Sequence, residues 1–391
     1  MCVRIIQFVL YSLLECVVGL LLWPFNADLI AETAQVTCMD TAKNILILHA
    51  MNDLLARFQP APWAVRGVAQ TLFASYNPNA RYPYSRVESV VMSDSVHVLV
   101  HWKELNNLND AAPIVFLCPG IAGCSNSRTV KTISDVMADH GWRSVVYTRR
   151  GHGQSSLLPT EHLSACKGFP VHCDVDDMAD VVKHVRMQFP NAPMLLVGFS
   201  AGANLAVKYL GTRAAESPFM CAVSVCNGHK LVPLTHDFIE RPMANAIMTN
   251  ALQGLLAARL AEMKQIALAK TLHLDFDKLR KTVNVREFEE MLMLPLNQQF
   301  NTLDDYYTAN SCGDHMKDIR VPLLCMATSD DPLIGAELAN HAVIASKTNP
   351  NIICVQTKRG GHLGWLSGWR GKWWMMDVIE RFLLTANTTP Y

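Results

Sequence analysis

Along this chain, short and nearly uninterrupted apolar runs alternate with longer stretches in which apolar residues recur at helical spacing. Pro113 to Cys118, Arg143 to Thr148, Met194 to Val197, Cys221 to Cys226, Val321 to Thr328 and Asn351 to Gln356 are runs of the length of a strand buried on both faces. Thr129 to His140 and Val175 to Phe189 carry the helical spacing, and a last helix covers about Trp373 to Leu384. Upstream, Arg86 to Val91 and Val96 to Trp102 flank Ser93-Asp94 and read as a β-hairpin. Strand, loop and helix in this rhythm predict an α/β protein: a mostly parallel sheet covered by helices, with functional loops at the carboxyl ends of the strands.

The rhythm fails in three places, and these divide the chain. From 229 to 311 the sequence is rich in Met, Ala, Leu and Gln, reads as helical and shows no strand, so it is expected to be a helical cap inserted after a core strand. Residues 25–84 form an approach segment packing on the core; within it Ile45 to Phe58 is an amphipathic helix expected to face the domain rather than a bilayer. Ile5 to Trp23 is an apolar segment of membrane-spanning length broken by Gln7 and Glu15. The rival is a cleaved signal peptide, but the segment is longer than a usual signal-peptide core and no clear small-x-small cleavage site follows directly, so residues 1–24 are expected to be a signal anchor and the bilayer a partner. The core is then expected in two pieces, 85–228 and 312–391.

Charge and cysteine content narrow the partners. Lys plus Arg and Asp plus Glu both number 34 in 391 residues, which leaves no basic field for nucleic acid. Arg149-Arg150 and Lys278 to Lys281 are dense basic spots short enough to be solvated surface. The 12 cysteines are scattered, several inside apolar runs, and none has C-x-x-C spacing. Reduced, buried thiols are expected, with neither structural zinc nor an organic cofactor. His172-Cys173-Asp174 lacks a matching second half for a metal site.

The candidate chemistry lies where Met194 to Val197 meets the helical stretch that Gly211 closes. Gly198-Phe199-Ser200-Ala201-Gly202 places a serine between glycines at an abrupt strand-to-helix turn, the form of a nucleophile elbow. A serine hydroxyl needs a base within hydrogen-bond reach and an acid to orient that base. The acid is expected on a loop leaving a core strand, and Val321 to Thr328 runs into Asp330-Asp331-Pro332-Leu333. Both aspartates are candidates; Asp331 is preferred because Pro332 and Leu333 turn the chain directly after it. The base is expected beyond the last strand, where His362 stands in Gly360-Gly361-His362-Leu363-Gly364, whereas His341 falls within a helical stretch. Backbone N–H groups of Ala201 and of Ile121, in the loop Pro119 to Gly123, are the expected oxyanion donors.

With these pieces in place the chain resembles the membrane-anchored α/β-hydrolase-domain family of YheT-like esterases, yeast medium-chain acyl esterases and mammalian phospholipase-like members. The resemblance runs from about Phe58 to the C-terminus. It is carried by Phe58 to Trp63 with Gln70-Thr71, Pro119-Gly120-Ile121 with Gly123, Arg150-Gly151 with Gly153, the Ser200 elbow, Asp304 to Tyr307 with Ser311, Asp330 to Pro332 and Gly360 to Gly364. It implies a nucleophile at Ser200, an acid at Asp331, a base at His362 and an N-terminal signal anchor, with a lipid ester as substrate, acylglycerol or phospholipid. Acyl transfer to an alcohol by the same residues is the first alternative, and a catalytically inactive lipid- or steroid-binding fold the second. The expected place is the endomembrane system, of the endoplasmic-reticulum type; Arg4 before the apolar segment and Asp28, Glu32 and Asp40 after it favour an N-terminus on the cytoplasmic side, whereas the many thiols argue against a body in an oxidising lumen. The chain departs from relatives at Cys118-Pro119-Gly120, where many have His-Gly, and at Ala201-Gly202, where Met-Gly is frequent. His172 to Asp177 also forms an H-x4-D pattern like those linked to acyl transfer; here it reads as a structural feature at the start of a helix.

Overall fold

A computed structural model describes residues 31–75, 81–105, 108–168 and 172–388, together with Leu14, Val17, Leu20 and Leu21. Except for those four, the expected signal anchor lies outside the described residues. Among the described residues no helix is long and apolar enough to cross a membrane.

A nine-stranded sheet carries the site. In chain order its strands are β1 (Gln35–Thr37), β2 (Arg86–Val91), β3 (His97–Lys103), β4 (Ile114–Cys118), β5 (Arg143–Thr148), β6 (Met194–Phe199), β7 (Phe219–Val225), β8 (Leu323–Thr328) and β9 (Ile352–Thr357). In space they run β1-β9-β8-β7-β6-β4-β5-β3-β2. From β5 to β9 every pairing is parallel, while β1, β2 and β3 join antiparallel at the two edges. The central strands are rich in apolar residues because both of their faces are covered: β4, β5, β6 and β8 are buried at every position. After β4 the chain crosses to β5 on one side and then returns to β6 on the other. The loops after β4 and β6 therefore part at a switch point, where an open α/β sheet forms its crevice.

Helices α1 (Ala42–Leu55), α2 (Gly67–Ser75) and α3 (Arg128–Asp139) precede the crossover helix α4 (Val175–Gln188) and the elbow helix α5 (Ala201–Arg213). α1 presents Ile47, Met51 and Leu55 to the core and leaves Ile45 and Leu46 exposed. Between β7 and β8 stand α6 (Leu231–Glu240), α7 (Pro242–Ala258), α8 (Leu260–Ala269), α9 (Phe276–Leu279), α10 (Val285–Leu296) and α11 (Leu303–Asn310). They pack on the face of the sheet that also holds α4 and α5, in one apolar cluster that includes Leu231, Phe238, Leu252, Phe288 and Tyr307. After β8 come α12 (Ala336–Ser346) and α13 (Trp374–Thr388).

Two elements of the N-terminal part were not foreseen, and one expectation is corrected. β1 adds an antiparallel edge strand to β9, and α2 follows the Pro-x-Pro-Trp turn. A three-residue strand has no readable period, so its order comes from the partner it pairs with. Arg149-Arg150 is not solvated surface, since the two side chains are 2% and 0% exposed. Arg150 donates from Nε and Nη2 to Asp177 and from Nη1 and Nη2 to Asp94, with distances from 2.6 to 2.9 Å. A buried guanidinium with two carboxylates satisfies its donors, and the group ties the β2–β3 hairpin to the start of α4.

Candidate active site

Ser200 stands at the tip of β6 with φ 54° and ψ −121°, and α5 begins at the next residue. Its N–H still donates to the Val225 carbonyl at 2.8 Å, so the sheet holds the strained residue in place. The turn is tight because α5 starts against the end of β4. A Cβ added to Gly202 would stand 2.1 Å from the Cys118 carbonyl oxygen and 2.4 Å from that of Pro119, a space closed to any larger residue.

His362 Nε2 lies 3.0 Å from Ser200 Oγ, and its Nδ1 lies 2.8 Å from Asp331 Oδ2. A carboxylate accepts and does not donate, so Nδ1 carries the ring proton and Nε2 is left as the acceptor for the serine hydroxyl. The other oxygen of Asp331 accepts from the backbone N–H groups of Leu333, at 2.7 Å, and Ile334, at 2.9 Å. Asp330 is occupied differently: its Oδ1 accepts from Thr328 Oγ1 and from the Gly361 N–H. Burial pushes the Asp330 carboxyl above its ordinary range, against the hydrogen bonds from Thr328 and Gly361. Of the two adjacent aspartates, Asp331 faces the imidazole and Asp330 braces the loop that carries it.

That loop is held from the distant N-terminal part of the chain. Thr71 Oγ1 accepts from the His362 N–H at 2.8 Å and donates to the Gly67 carbonyl at 2.7 Å. Gln70, fully buried, donates to the carbonyls of Ala64 and Leu366 and accepts from the Leu366 N–H at 2.6 Å. Trp63 Nε1 donates to the Trp369 carbonyl. The Pro-x-Pro-Trp and Gln-Thr features thus act together as the brace of the histidine loop. From beneath, the Cys226 thiol accepts from the Leu363 N–H and donates to the Gly361 carbonyl. Cys226 ends the apolar run that begins at Cys221, and nothing local in that run points to the loop it meets.

Ile121 and Ala201 line the same cleft as Ser200 and His362. The far wall of the cleft is apolar: Leu231, Leu234 and Phe238 of α6, Met248 of α7, and Leu333 with Ile334 behind Asp331. Among the described residues Met248 is the single cap methionine in that wall, so leucine and phenylalanine, rather than a set of thioethers, form it. His172 also lines the cleft, with Nε2 2.6 Å from Glu289 Oε1, and Tyr307 donates to the other oxygen of Glu289. This corrects the reading of His172 to Asp177 as one structural feature at the start of a helix. Asp174 does cap α4, and Asp177 lies under Arg150, but His172 turns to the cleft and to the cap.

Among the described residues one set of potential metal ligands converges, Cys226, Asp331 and His362, with ligand atoms within 4.8 Å of one another. Two of these are hydrogen-bonded to each other. Burial and the neighbouring Asp331 raise the Cys226 thiol far above its ordinary pKa, so it stays protonated and is a poor metal ligand. The ten cysteines among the described residues are all free.

A nucleophile elbow at a switch point, with acid and base on the loops after β8 and β9, defines the serine-hydrolase class on an α/β-hydrolase fold. The sequence model of the family described as serine aminopeptidase, S33, matches residues 109–352, and the chain belongs to that family. It is similar to the phospholipase ABHD3 of Mus musculus, 29% identical over 339 residues that cover 83% of this chain and 78% of that one. It is 32% identical over 330 residues to the embryogenesis-associated protein EMB8 of Picea glauca, covering 82% of this chain and 70% of EMB8. The monoacylglycerol lipase ABHD2 of Danio rerio is 27% identical over 348 residues, covering 86% of this chain and 80% of its own.

Proposed function

We propose that this protein is a carboxylic ester hydrolase that cleaves ester bonds of lipids, acylglycerols or phospholipids, through an acyl-enzyme on Ser200. The observation that carries the reading is the row Asp331, His362 and Ser200, hydrogen-bonded in order, at the floor of an apolar cleft. His362 Nε2 takes the hydroxyl proton as Ser200 Oγ attacks the ester carbonyl, and returns it to the departing alkoxide. Asp331 keeps Nδ1 protonated and stabilises the imidazolium that forms. The backbone N–H groups of Ile121 and Ala201 receive the developing oxyanion at the foot of the apolar wall, where such donors act more strongly than in bulk water. Water, with His362 as base, then releases the acid.

The apolar wall of α6 and α7 suits an acyl chain, and relatives named phospholipase and monoacylglycerol lipase support a lipid substrate. Purified protein and Ser200→Ala are to be compared on a panel of acylglycerols and phospholipids, with fluorophosphonate labelling alongside. Wild type is expected to hydrolyse at least one class and to label; a Ser200→Ala protein that labels and turns over like wild type rules out the assignment. Ile5 to Trp23 is proposed as the single-pass anchor of a type II endomembrane protein. Extraction of the expressed protein by alkaline carbonate would refute that anchoring.

A further inference from the structure

Asp331, His362 and Ser200 account for the proton, but the oxyanion must be met by main-chain donors whose direction something has to hold. The Ile121 N–H belongs to the same planar trans peptide as the Gly120 carbonyl, so the two point in opposite directions. Gly120 lies against the nucleophile, since a Cβ added there would stand 3.2 Å from Ser200 Cβ and 3.8 Å from Ser200 Oγ. Whatever fixes the Gly120 carbonyl therefore aims the Ile121 N–H. The Gly123 N–H donates to that carbonyl at 3.1 Å, within the loop itself. Arg149 Nη2 donates to it at 2.9 Å, from outside the loop and from the residue that follows the neighbouring strand β5.

The two adjacent arginines are used differently. Arg150 spends its fork on Asp94 and Asp177, whereas Arg149, 2% exposed, turns to the back of the oxyanion peptide. Burial lowers the Arg149 pKa from the ordinary arginine value, partly offset by Tyr147, Cys118, Cys173 and Tyr306 around it. Arginine nevertheless keeps its charge in a protein interior. A charged donor on a carbonyl polarises the whole peptide and strengthens the N–H at its other end. Taking a cation out of water is costly, and one held behind an oxyanion donor offsets that cost in the transition state, where negative charge appears.

We propose that Arg149 is the positioning residue of the oxyanion hole: through the Gly120 carbonyl its guanidinium aims the Ile121 N–H at the tetrahedral oxygen and strengthens it as a donor. The proposal rests on Ser200 being the nucleophile. Arg149 acts through the Gly120–Ile121 peptide, so its effect is expected in the transition state, where the oxyanion forms, rather than in ground-state binding.

The test uses the full chain as wild type, Arg149→Met, Arg149→Lys and Ser200→Ala. Two readouts are needed: kcat and KM separately on a p-nitrophenyl ester, and affinity for an alkyl trifluoromethyl ketone, which forms a tetrahedral oxyanion adduct with an active serine. In Arg149→Met, kcat is expected to fall about 30-fold with KM within about twofold, and ketone affinity to fall by the same factor as kcat/KM. Arg149→Lys, which keeps a cation and a donor, is expected to recover part of both losses. Should Arg149→Met fail to melt cooperatively, Arg149→Lys and Arg149→Gln carry the same two readouts. Wild-type kcat and ketone affinity in the neutral variant overturn the proposal, as does a loss confined to KM or a fall in kcat that ketone binding does not share. An active Ser200→Ala protein refutes the nucleophile, whereas an inactive one beside a fully active Arg149→Met refutes the role of Arg149 alone.

Discussion

The nucleophile side and the base side of this site are built in opposite ways. Ser200 is set by contiguous chain: β6, one strained residue and α5, packed against the end of β4. His362 is set by residues from separate segments, up to 291 positions away in the chain, with Thr71 on its N–H, Cys226 under its loop and Asp331 on its ring. A contiguous turn keeps its geometry as long as the sheet stands. A loop tied by long-range bonds keeps its geometry only while every tied segment is docked, so the base is expected to be lost before the nucleophile is.

The sharpest test of this contrast separates the neighbouring aspartates. Asp331→Asn removes the acceptor that holds the imidazole tautomer and is expected to lower kcat by about 10⁴-fold. Asp330→Asn keeps an oxygen for the Gly361 N–H and is expected to cost less than about tenfold; steady-state kinetics on one ester reads both. Equal losses would show that the loop brace matters as much as the acid.

On the nucleophile side, Gly202→Ala forces a Cβ into the Cys118 and Pro119 carbonyls, which are backbone and cannot yield. A loss of about 3 kcal/mol in urea unfolding is expected, together with loss of activity. An unperturbed midpoint would mean that the elbow is looser than its φ and contacts imply.

Acid probes the ground between the two sides. His152, in the loop after β5, and His229, just past β7, are both pushed from 6.5 to about 3, first by burial and then by Arg149 and His341 respectively. For a base with a depressed folded pKa, the stabilising neutral form is fully present above the unfolded value and is lost as pH falls below it. Stability is therefore expected to fall between pH 6.5 and 3, by about 2 kcal/mol per histidine at pH 5. Denaturant melts at pH 7 and pH 5 of wild type and His229→Asn measure it: the variant should lose less on acidification.

The mildest change touches the base side alone. Thr71→Val leaves the His362 N–H without its acceptor and is expected to cost about 1 kcal/mol of stability and about tenfold in kcat. Fluorophosphonate labelling should slow in parallel, since the serine then lacks a well-placed base.

Much of the sheet was legible because buried parallel strands are written as unbroken apolar runs: β4 to β9 fall within a few residues of the expected spans. β1 was missed because three residues carry no period and its order comes from β9. At the site, the loops bearing Ser200, Asp331 and His362 could be picked out because each follows such a run. The choice between Asp330 and Asp331 rested on Pro332, and the structure adds the reason: the turn delivers two backbone N–H groups to Asp331. Arg149-Arg150 read as surface because a charge pair gives no hint of carboxylates at Asp94 and Asp177 or of a carbonyl at Gly120. His172 was invisible as a cleft residue for a like reason, since its neighbours Glu289 and Tyr307 come from the cap.

The chain by itself determines an α/β-hydrolase fold, a strained serine turn between β6 and α5, and the loops that follow β8 and β9, because strand runs, glycines and turn residues act over a few positions. Tertiary structure decided what those loops meet: which aspartate faces His362, which threonine and cysteine hold it, and which buried arginine stands behind the Gly120 carbonyl. Those choices depend on contacts between segments far apart in the chain, and no local pattern of residues encodes a distance across a sheet.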